Sequence, residues 1–326
     1  MAEAFTQLKG LQNIGESSLS QQIADNMIEF FNWGLIDKGA YFNVSVPTSG
    51  LYGGNKHKLR LVDDPRYTDG QVWETFRSNL VWETGVSPTN QPVQISGVYV
   101  GGAFQPISGV GPYKHHIDYP NGRIVFDTAI STSSEVTMEY SHKWVNVTRA
   151  EGVPWFREIQ YGADRVDHSH FSQTGSGDWS QLGQTRLQMP IVAVEVVPRR
   201  TFKGYQLGGG QWTYTDVLFH VISEDESDAT KLMDVISLQN DSIIWLFDTN
   251  HIARSGIFPL DYRGMINDNA LESGRYPDLV SPTGDGGHRW KRLRFSECVA
   301  QDIVQINPKL YIGAVRANTE VILTNI

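Results

Sequence analysis

The segment from residue 91 to 147 most constrains the fold, because short apolar–polar runs alternate there with turn residues. Val98 and Val100 alternate with other residues before the pair Gly101-Gly102, and a second such run ends at Pro120-Asn121-Gly122. Apolar residues at every second position are typical of half-buried strands, and glycine pairs and Asn-Gly are typical of tight hairpin turns. The segment therefore predicts an antiparallel, β-sandwich-like module.

A capped helix is predicted near the N-terminus. Ser18 and Gln21 match a capping box, in which each side chain bonds to the backbone of the other residue. An apolar stripe rich in aromatic residues then follows at helical spacing, with Ile23, Met27, Phe30 and Phe31 as its members. We interpret this stripe either as part of the chain's own core or as a face that docks on a neighbouring subunit. The preceding residues, 1–16, are predicted to form a loose polar arm.

The second half of the chain predicts an α+β domain with a helix packed on one face of a sheet. An apolar strand, Ile191–Val197, is expected to end at Pro198. The other predicted strands are 212–222, 243–247, 289–306 and 310–324, the last with a hairpin around Ala317-Asn318. Ser227 or Asp228 is expected to cap the helix, whose apolar face contains Leu232, Val235 and Ile236.

These patterns predict a mainly β protein with an α+β second half, an N-terminal helix and long loops. The expected divisions are an arm, helix and hairpins at 1–90, the β module at 91–147, a loop or linker at 148–190 and the α+β domain at 191–326. Within that domain, a long polar, glycine-containing loop is predicted at about 249–288. Loops of this length in a compact domain generally serve function or contact partners.

Charge and cysteine content exclude several classes of protein. Acidic residues outnumber basic ones by 36 to 27, giving a net charge of −9, whereas broad phosphate-contacting DNA binders are normally basic. A single cysteine, Cys298, cannot form an internal disulfide or a multi-thiolate metal site. The N-terminus lacks the basic start and apolar run of a signal peptide, and the apolar runs are too short for a membrane helix. We therefore expect a soluble protein, with no membrane partner.

Four motifs suggest chemistry but lack the context that the chemistry requires. His115-His116 with Asp118 has no further ligand pair for zinc, and Ser169 in Asp167–His170 has no nucleophile elbow. Gly208–Gly210 is followed by a strand rather than a phosphate-binding helix, and Gly284–Gly287 lacks the acidic ladder of a calcium loop. The sequence therefore predicts a protein that is not an enzyme and has no cofactor and no metal.

Two charged clusters are candidate interaction sites. The acidic turn Glu224, Asp225 and Glu226 is either a solvated helix start or a surface that faces a partner. Arg289, Lys291, Arg292 and Arg294 form the basic cluster, which suits an acidic protein surface or a stretch of nucleic acid.

Several segments resemble the virion proteins of tailed bacteriophages. In the β module they are Gly97-Val-Tyr-Val-Gly-Gly, Ile117-Asp-Tyr-Pro-Asn-Gly-Arg-Ile-Val-Phe-Asp and Val136-Thr-Met-Glu-Tyr. The helix segment 18–34 and the C-terminal segment 310–323 are also similar to such proteins.

The resemblance implies a structural subunit that forms a homo-oligomeric ring in the phage neck, as a head-to-tail connector or tail-completion protein. Its partners would be copies of itself and other neck and tail proteins, and DNA would pass through the ring only as cargo. The protein would be found in the virion after assembly in the host cytoplasm. If Glu224, Asp225 and Glu226 line the channel, their charge would keep the DNA from binding tightly.

Three other assignments stay open. A baseplate or tail-tip component would use similar β modules and long loops. A receptor- or carbohydrate-binding module would stack sugar rings on exposed tryptophans, for which Trp73, Trp82 and Trp212 are the candidates. A hydrolase would use Asp167, His168 and Ser169 or the His115-His116 pair.

Overall fold

The computed structural model describes residues 17–45, 56–83, 85, 91–152, 188–206, 210–267, 275–280, 289–307 and 310–323. The protein is mostly β, with 43% strand and 19% helix. It has several antiparallel sheets, a sheet curled into a half barrel and an N-terminal helix. The predicted mainly β fold class is confirmed.

The first half of the chain contains short strands in three small sheets. They are β1 (Tyr41–Val44), β2 (Arg60–Leu61), β3 (Val72–Glu74), β4 (Gly97–Val100), β5 (Ala103–Pro106), β6 (His115–Asp118), β7 (Arg123–Phe126), β8 (Val136–Thr137) and β9 (Tyr140–Lys143). The sheet orders are β2-β3-β7-β6, β5-β4-β8 and β1-β9. Strands from both sides of residue 90 share sheets, so the predicted boundary at 90 falls inside hydrogen-bonded layers.

Glycines make the predicted hairpin turns possible. Gly101 and Gly102, between β4 and β5, have φ values of +57° and +82°, a backbone that other residues adopt only with strain. Gly122, between β6 and β7, has a φ of +62°, and a Cβ there would lie 2.6 Å from Oγ1 of Thr75. Both hairpins thus form where the turn residues predicted them.

The second half builds a seven-stranded sheet with helices against it. Its strands are β10 (Asn146–Arg149), β11 (Ile191–Gln206), β12 (Gly210–Ser223), β13 (Ile243–Phe247), β14 (Arg289–Ala300), β15 (Val304–Asn307) and β16 (Leu310–Leu323). The order is β10-β11-β12-β16-β14-β13, and β15 also pairs with β16. The helices are α1 (Leu19–Asp37), α2 (Glu226–Ser237), α3 (Thr249–Arg254) and α4 (Tyr276–Val280).

Two strands continue through a predicted break. β11 continues past Pro198 through a bulge, where four steps from Val196 to Arg200 match two steps along β12. The bulge accommodates Pro198, which has no backbone N–H to donate to a neighbouring strand. Beside it, the Thr215 hydroxyl donates a hydrogen bond to the Val197 carbonyl at 3.0 Å. β16 is continuous through Ala317-Asn318, where the predicted hairpin was wrong, because β12 and β14 pair with it on both sides.

The cap of α2 also differs from the prediction. Asp225 is the N-cap residue, rather than Ser227 or Asp228, and its carboxylate accepts a hydrogen bond from the Ser227 amide at 2.8 Å. The buried face of α2 packs on the sheet through Ala229, Leu232, Met233 and Ile236. Val235 is only partly buried, which leaves it available at the surface.

Helix α1 is buried on two faces and contributes to both main hydrophobic cores. Its capping box between Ser18 and Gln21 is present as predicted. Ile23, Met27 and Phe31 pack in the core of the seven-stranded sheet. Trp33 and Ile36 pack in the core of the first-half sheets, together with residues of α3 and α4. The N-terminal helix therefore joins the two halves of the chain.

A buried asparagine clamps α1 to edge strand β13. The Asn26 amide group donates to the Phe247 carbonyl at 2.8 Å, and its oxygen accepts from the Phe247 amide at 3.1 Å. Next to it, the buried Asp248 carboxylate accepts from the amide and hydroxyl of Ser17 and caps α3. In the part of the chain that the structure describes, β13 has no strand on its outer side, so the bonds from Asn26 provide the hydrogen-bond partners of the Phe247 backbone N–H and C=O groups there.

We predict that Asn26→Leu lowers the free energy of unfolding by about 2–4 kcal/mol, because it leaves two buried backbone groups of Phe247 without partners. Urea denaturation followed by circular dichroism measures this. Asn32→Leu, at a partly exposed position of the same helix, is the control and should change the value by less than about 1 kcal/mol. Equal effects of the two variants would contradict the clamp.

Candidate interaction site

The structure places most of the predicted apolar stripe inside the protein. Ile23 and Met27 are fully buried and offer no surface to a neighbouring subunit, and Phe31 is 4% exposed. The core interpretation therefore describes these three side chains, and the docking interpretation is corrected for Ile23 and Met27. Phe30 is only partly buried and reaches the surface, where it borders a groove.

The groove lies between the C-terminal half of α1 and the outer side of α2, and it has a volume of about 750 Å³. Apolar side chains form most of its lining: Phe30, Phe31, Leu35, Tyr41, Phe42, Trp144 and Val235. Lys38, Asp228, Lys231 and Gln239 provide the polar part of the lining. We call this feature the α1–α2 groove.

The edge of the α1–α2 groove combines an exposed aromatic ring with charges of both signs. Phe42 is 54% exposed and lies against His142, its partner on β9, with 5.5 Å between the ring centroids. The Lys231 ammonium lies 4.8 Å from the centre of the Trp144 ring, which keeps the cation at the groove. An apolar lining with a few charges at its edge suits a protein segment rather than a small charged substrate.

The predicted acidic turn has mixed roles. Asp225 is committed to capping α2, and the hydrogen bonds from Ser227 lower the pKa of its carboxyl. Burial lowers the pKa of the Arg77 guanidinium while the Glu224 carboxylate opposes this shift, which places Glu224 near the first half of the chain. Glu226 is exposed. Of these three residues, Glu226 is therefore the one to which the described contacts assign no such structural role.

A shallow depression on the other side of α2 carries this acidic surface. It has a volume of about 820 Å³ and is lined by Asp225, Glu226, Asp234, Leu238 and Tyr311, among others. Lys231 and Val235 line both this depression and the α1–α2 groove, so one surface continues around the helix. Leu238, at the end of α2, is 78% exposed. The surface of α2 is thus partly apolar and partly acidic.

The predicted basic residues lie on β14, and those whose side chains the structure describes, Arg292 and Arg294, line neither depression. Arg292 stacks on Trp245 of the neighbouring strand, with its guanidinium 4.3 Å from the ring centre. Arg294 pairs with Asp241 at 2.6 Å. The Arg289 backbone pairs with Phe247, and its side chain lies outside the described residues. Stacking and pairing therefore stabilise part of this cluster within the chain.

The histidine motif is placed by the β6–β7 hairpin. His115 is 3% exposed, packs on Phe126 and has its pKa lowered by burial, whereas His116 and Asp118 share the outer face. Asp118 accepts hydrogen bonds from Asn121 in the turn. Among the residues that the structure describes, no group of three or more His, Cys, Asp or Glu side chains is placed to hold a metal.

The other predicted motifs have different outcomes. Residues 167–170 and 284–287 lie outside the described residues, as do Gly208 and Gly209, and the strand predicted after Gly210 is β12, which pairs antiparallel with β11. Trp73 and Trp82 are buried in the first-half core and Trp212 is partly buried, so they do not form a shared exposed platform. Cys298 is half-buried, and burial raises its thiol pKa to about 11.

A polar cluster that no sequence motif predicted lies where α1 meets the first-half sheets. The buried Glu83 carboxylate pairs with Lys143, and Glu29 of α1 accepts a hydrogen bond from the Trp33 indole at 3.0 Å. Desolvation and the Glu83 charge raise the pKa of Glu29 to about 7, although Lys143 opposes this shift. Asp25 and Tyr276 are the other titratable groups that interact with Glu29. No spacing rule brings residues 29, 83 and 143 together.

We predict that protonated Glu29 stabilises the fold at low pH. A carboxyl whose pKa rises from 4.5 to about 7 on folding contributes stability that is present below pH 4.5 and lost as the pH rises through 7. The free-energy difference between wild type and Glu29→Gln should therefore fall by roughly 2 kcal/mol from pH 5 to pH 8. Urea denaturation across this range measures it.

Stability must be compared between wild type and Glu29→Gln because His142 changes stability with pH in the opposite direction. Burial lowers the pKa of His142 to about 4, so the stability that neutral His142 contributes is lost as the pH falls. This contribution of His142 is the same in both proteins and cancels in the difference. Exposed Glu135→Gln is the control and should show no such pH-dependent difference from wild type. A constant difference between wild type and Glu29→Gln would contradict the prediction.

The fold and surface define a mostly β protein with an N-terminal helix and an open groove between two helices. Comparisons with protein-family models, with curated proteins and with solved structures found no match for this chain. No helix in the described ranges is long and apolar enough to span a membrane.

Proposed function

We propose that this protein is a structural subunit of a tailed bacteriophage particle and forms a homo-oligomeric ring in the neck, as a head-to-tail connector or tail-completion protein. It acts by binding copies of itself and other neck and tail proteins, and not as an enzyme. The resemblance of the helix segment 18–34, of the quoted pieces of the β module and of segment 310–323 to phage virion proteins supports the class of protein.

The observation that carries the proposal is the α1–α2 groove. A soluble chain seldom leaves a contiguous apolar surface open unless a partner covers it. Phe30 and Phe42 are partly or largely exposed there, and Leu238 and Val235 extend the apolar surface around α2. Such a surface supports repeated contacts between neighbouring subunits, and heterologous contacts close into a ring when the rotation from one subunit to the next closes.

A baseplate or tail-tip role is the second candidate, because a subunit there would use the same groove. The symmetry of the assembly separates the two, since a neck ring and a trimeric fibre-like assembly differ in copy number. We do not propose a carbohydrate-binding function through the tryptophans, since Trp73 and Trp82 are buried in the core.

We predict that wild-type protein, or wild-type protein added to its neck partners, assembles into a closed ring, and that Phe42→Ser reduces the assembled fraction at least tenfold. Light scattering with negative-stain imaging measures the mass and the symmetry. The matched control is Phe104→Ser on β5, since Phe104 is 45% exposed and also faces an aromatic partner, Tyr99, across an antiparallel pair. Assembly unaffected by Phe42→Ser would contradict a groove-mediated contact.

A second prediction tests whether the acidic surface faces a DNA channel. Asp225 caps α2 and Glu224 interacts with Arg77, so the test replaces exposed Glu226 and Asp234 by Gln and Asn. If these groups line the channel, genome ejection from particles that carry the double variant should slow severalfold, because DNA then binds the wall more tightly. Exposed Glu135 and Glu151, both changed to Gln, give the same change in net charge as a control. An unchanged ejection rate removes the channel assignment.

A further inference from the structure

In the polar cluster beside α1, an amine and a carboxyl are held together away from solvent. Nζ of Lys143, on β9, contacts Oε1 of Glu83, and the two side chains are 10% and 0% exposed. Backbone hydrogen bonds fix both residues, since the Lys143 amide donates to the Asn79 carbonyl at 3.1 Å. The Val81 amide donates to the Ser141 carbonyl at 2.9 Å. Holding two groups in contact in this way can replace the chance of their meeting and raise the rate of a reaction between them.

The two oxygens of the Glu83 carboxyl have different partners. Oε1 faces the Lys143 ammonium, whereas the backbone N–H of Trp82 donates to Oε2 at 3.1 Å. When a nucleophile adds to a carboxyl carbon, negative charge develops on the oxygen that is retained, and an N–H donor there stabilises it. The carboxyl is therefore arranged so that Oε2 can be retained and Oε1 can leave.

Aromatic rings enclose the pair. The centre of the Trp82 ring lies 5.8 Å from Nζ of Lys143, and Trp82 packs edge-on against Trp33 with 5.6 Å between the ring centroids. Both indoles are buried in the first-half core. Burial makes an ion pair costly, because both charges lose their hydration. A neutral amide avoids this cost, and a dry site keeps out the water that would reverse its formation.

Glu29 of α1 adds a third group, which can donate and accept a proton. The Trp33 indole donates to its Oε2 at 3.0 Å. Desolvation first and the Glu83 charge second raise the pKa of Glu29 to about 7, and Lys143 opposes the shift, so this carboxyl senses both groups of the pair. At neutral pH it holds a proton in about half of the molecules, which suits a general acid and base.

We infer that Glu83 and Lys143 condense into an isopeptide bond, an amide between the two side chains, and that Glu29 carries the proton to the leaving water. The ammonium first passes a proton to Oε1, and the neutral amine then adds through Nζ to Cδ of Glu83. Glu29 donates a proton to Oε1 and takes one from Nζ, so that the Cδ–Oε1 bond breaks, one water leaves and Glu29 is regenerated. One ammonium and one carboxylate thus become one neutral amide and one water.

The bond would lock the first half of the chain covalently. It joins positions 60 residues apart and closes a loop that contains strands β4 to β8. A cross-link that closes a long loop stabilises a fold by restricting the unfolded chain. This contribution does not depend on pH, so the predicted change with pH in the comparison with Glu29→Gln remains. The inference does not depend on the proposed ring.

Intact mass measurement of the denatured full-length protein tests the inference. Most wild-type chains should have the mass of their sequence minus one water, and a digest should contain a branched peptide that joins Glu83 to Lys143. Lys143→Arg keeps the positive charge and should have the full mass. Glu29→Gln should lower the linked fraction at least tenfold. The exposed pair Lys58–Glu135, with 3.2 Å between its charged atoms, is the control in the same digest and should stay unlinked.

Wild-type protein with the full mass of its sequence would overturn the inference, because Glu83 and Lys143 would then form an ordinary ion pair. A digest that places the lost water elsewhere and finds these two residues unlinked would overturn it as well. Equal linkage in wild type and Glu29→Gln would overturn the proton transfer assigned to Glu29. Circular dichroism shows whether each variant folds, and the wild-type mass tests the bond even where a variant does not.

Discussion

The hydrogen bonds between α1 and the end of β13 are the interaction on which the rest of the structure depends. Asn26 supplies both backbone partners that the edge residue Phe247 lacks, and Asp248 ties down the start of α1. These bonds fix the position of a helix that is buried on two faces. Because Met27 packs in one core and Trp33 in the other, a change in the position of α1 would disturb both halves of the chain.

The same helix determines the surface that we assign to partners. Its first turns are enclosed by the sheet and by α3, whereas its C-terminal half faces α2 across an open groove. The Glu29 and Glu83 carboxylates share Lys143 on the opposite side, where burial makes a second negative charge costly. The Glu29 carboxyl and the groove thus lie on opposite sides of one helix.

Local sequence signals predicted many of the helices, strands and turns, but they did not predict which strands pair with one another. The capping box at Ser18, the glycine turn at residue 122 and the alternation in β12 each depend on neighbours within a few residues, so they were predictable. The bulge at Pro198 and the continuous strand through Ala317 were not, because a neighbouring strand decides whether a local break signal is accommodated. Likewise, burial of Ile23 and exposure of Phe42 depend on packing between distant segments.

Sequence pattern alone thus establishes the mainly β character, the N-terminal helix and the acidic, cysteine-poor composition, since each follows from residue types and short spacings. Only the tertiary structure decides that strands pair across residue 90, that Asn26 bonds to Phe247 and that Glu29 meets Glu83. It also decides that the helical stripe is core while a groove opens beside it. Contacts between residues far apart in the chain depend on how complete faces pack, and no local pattern records that.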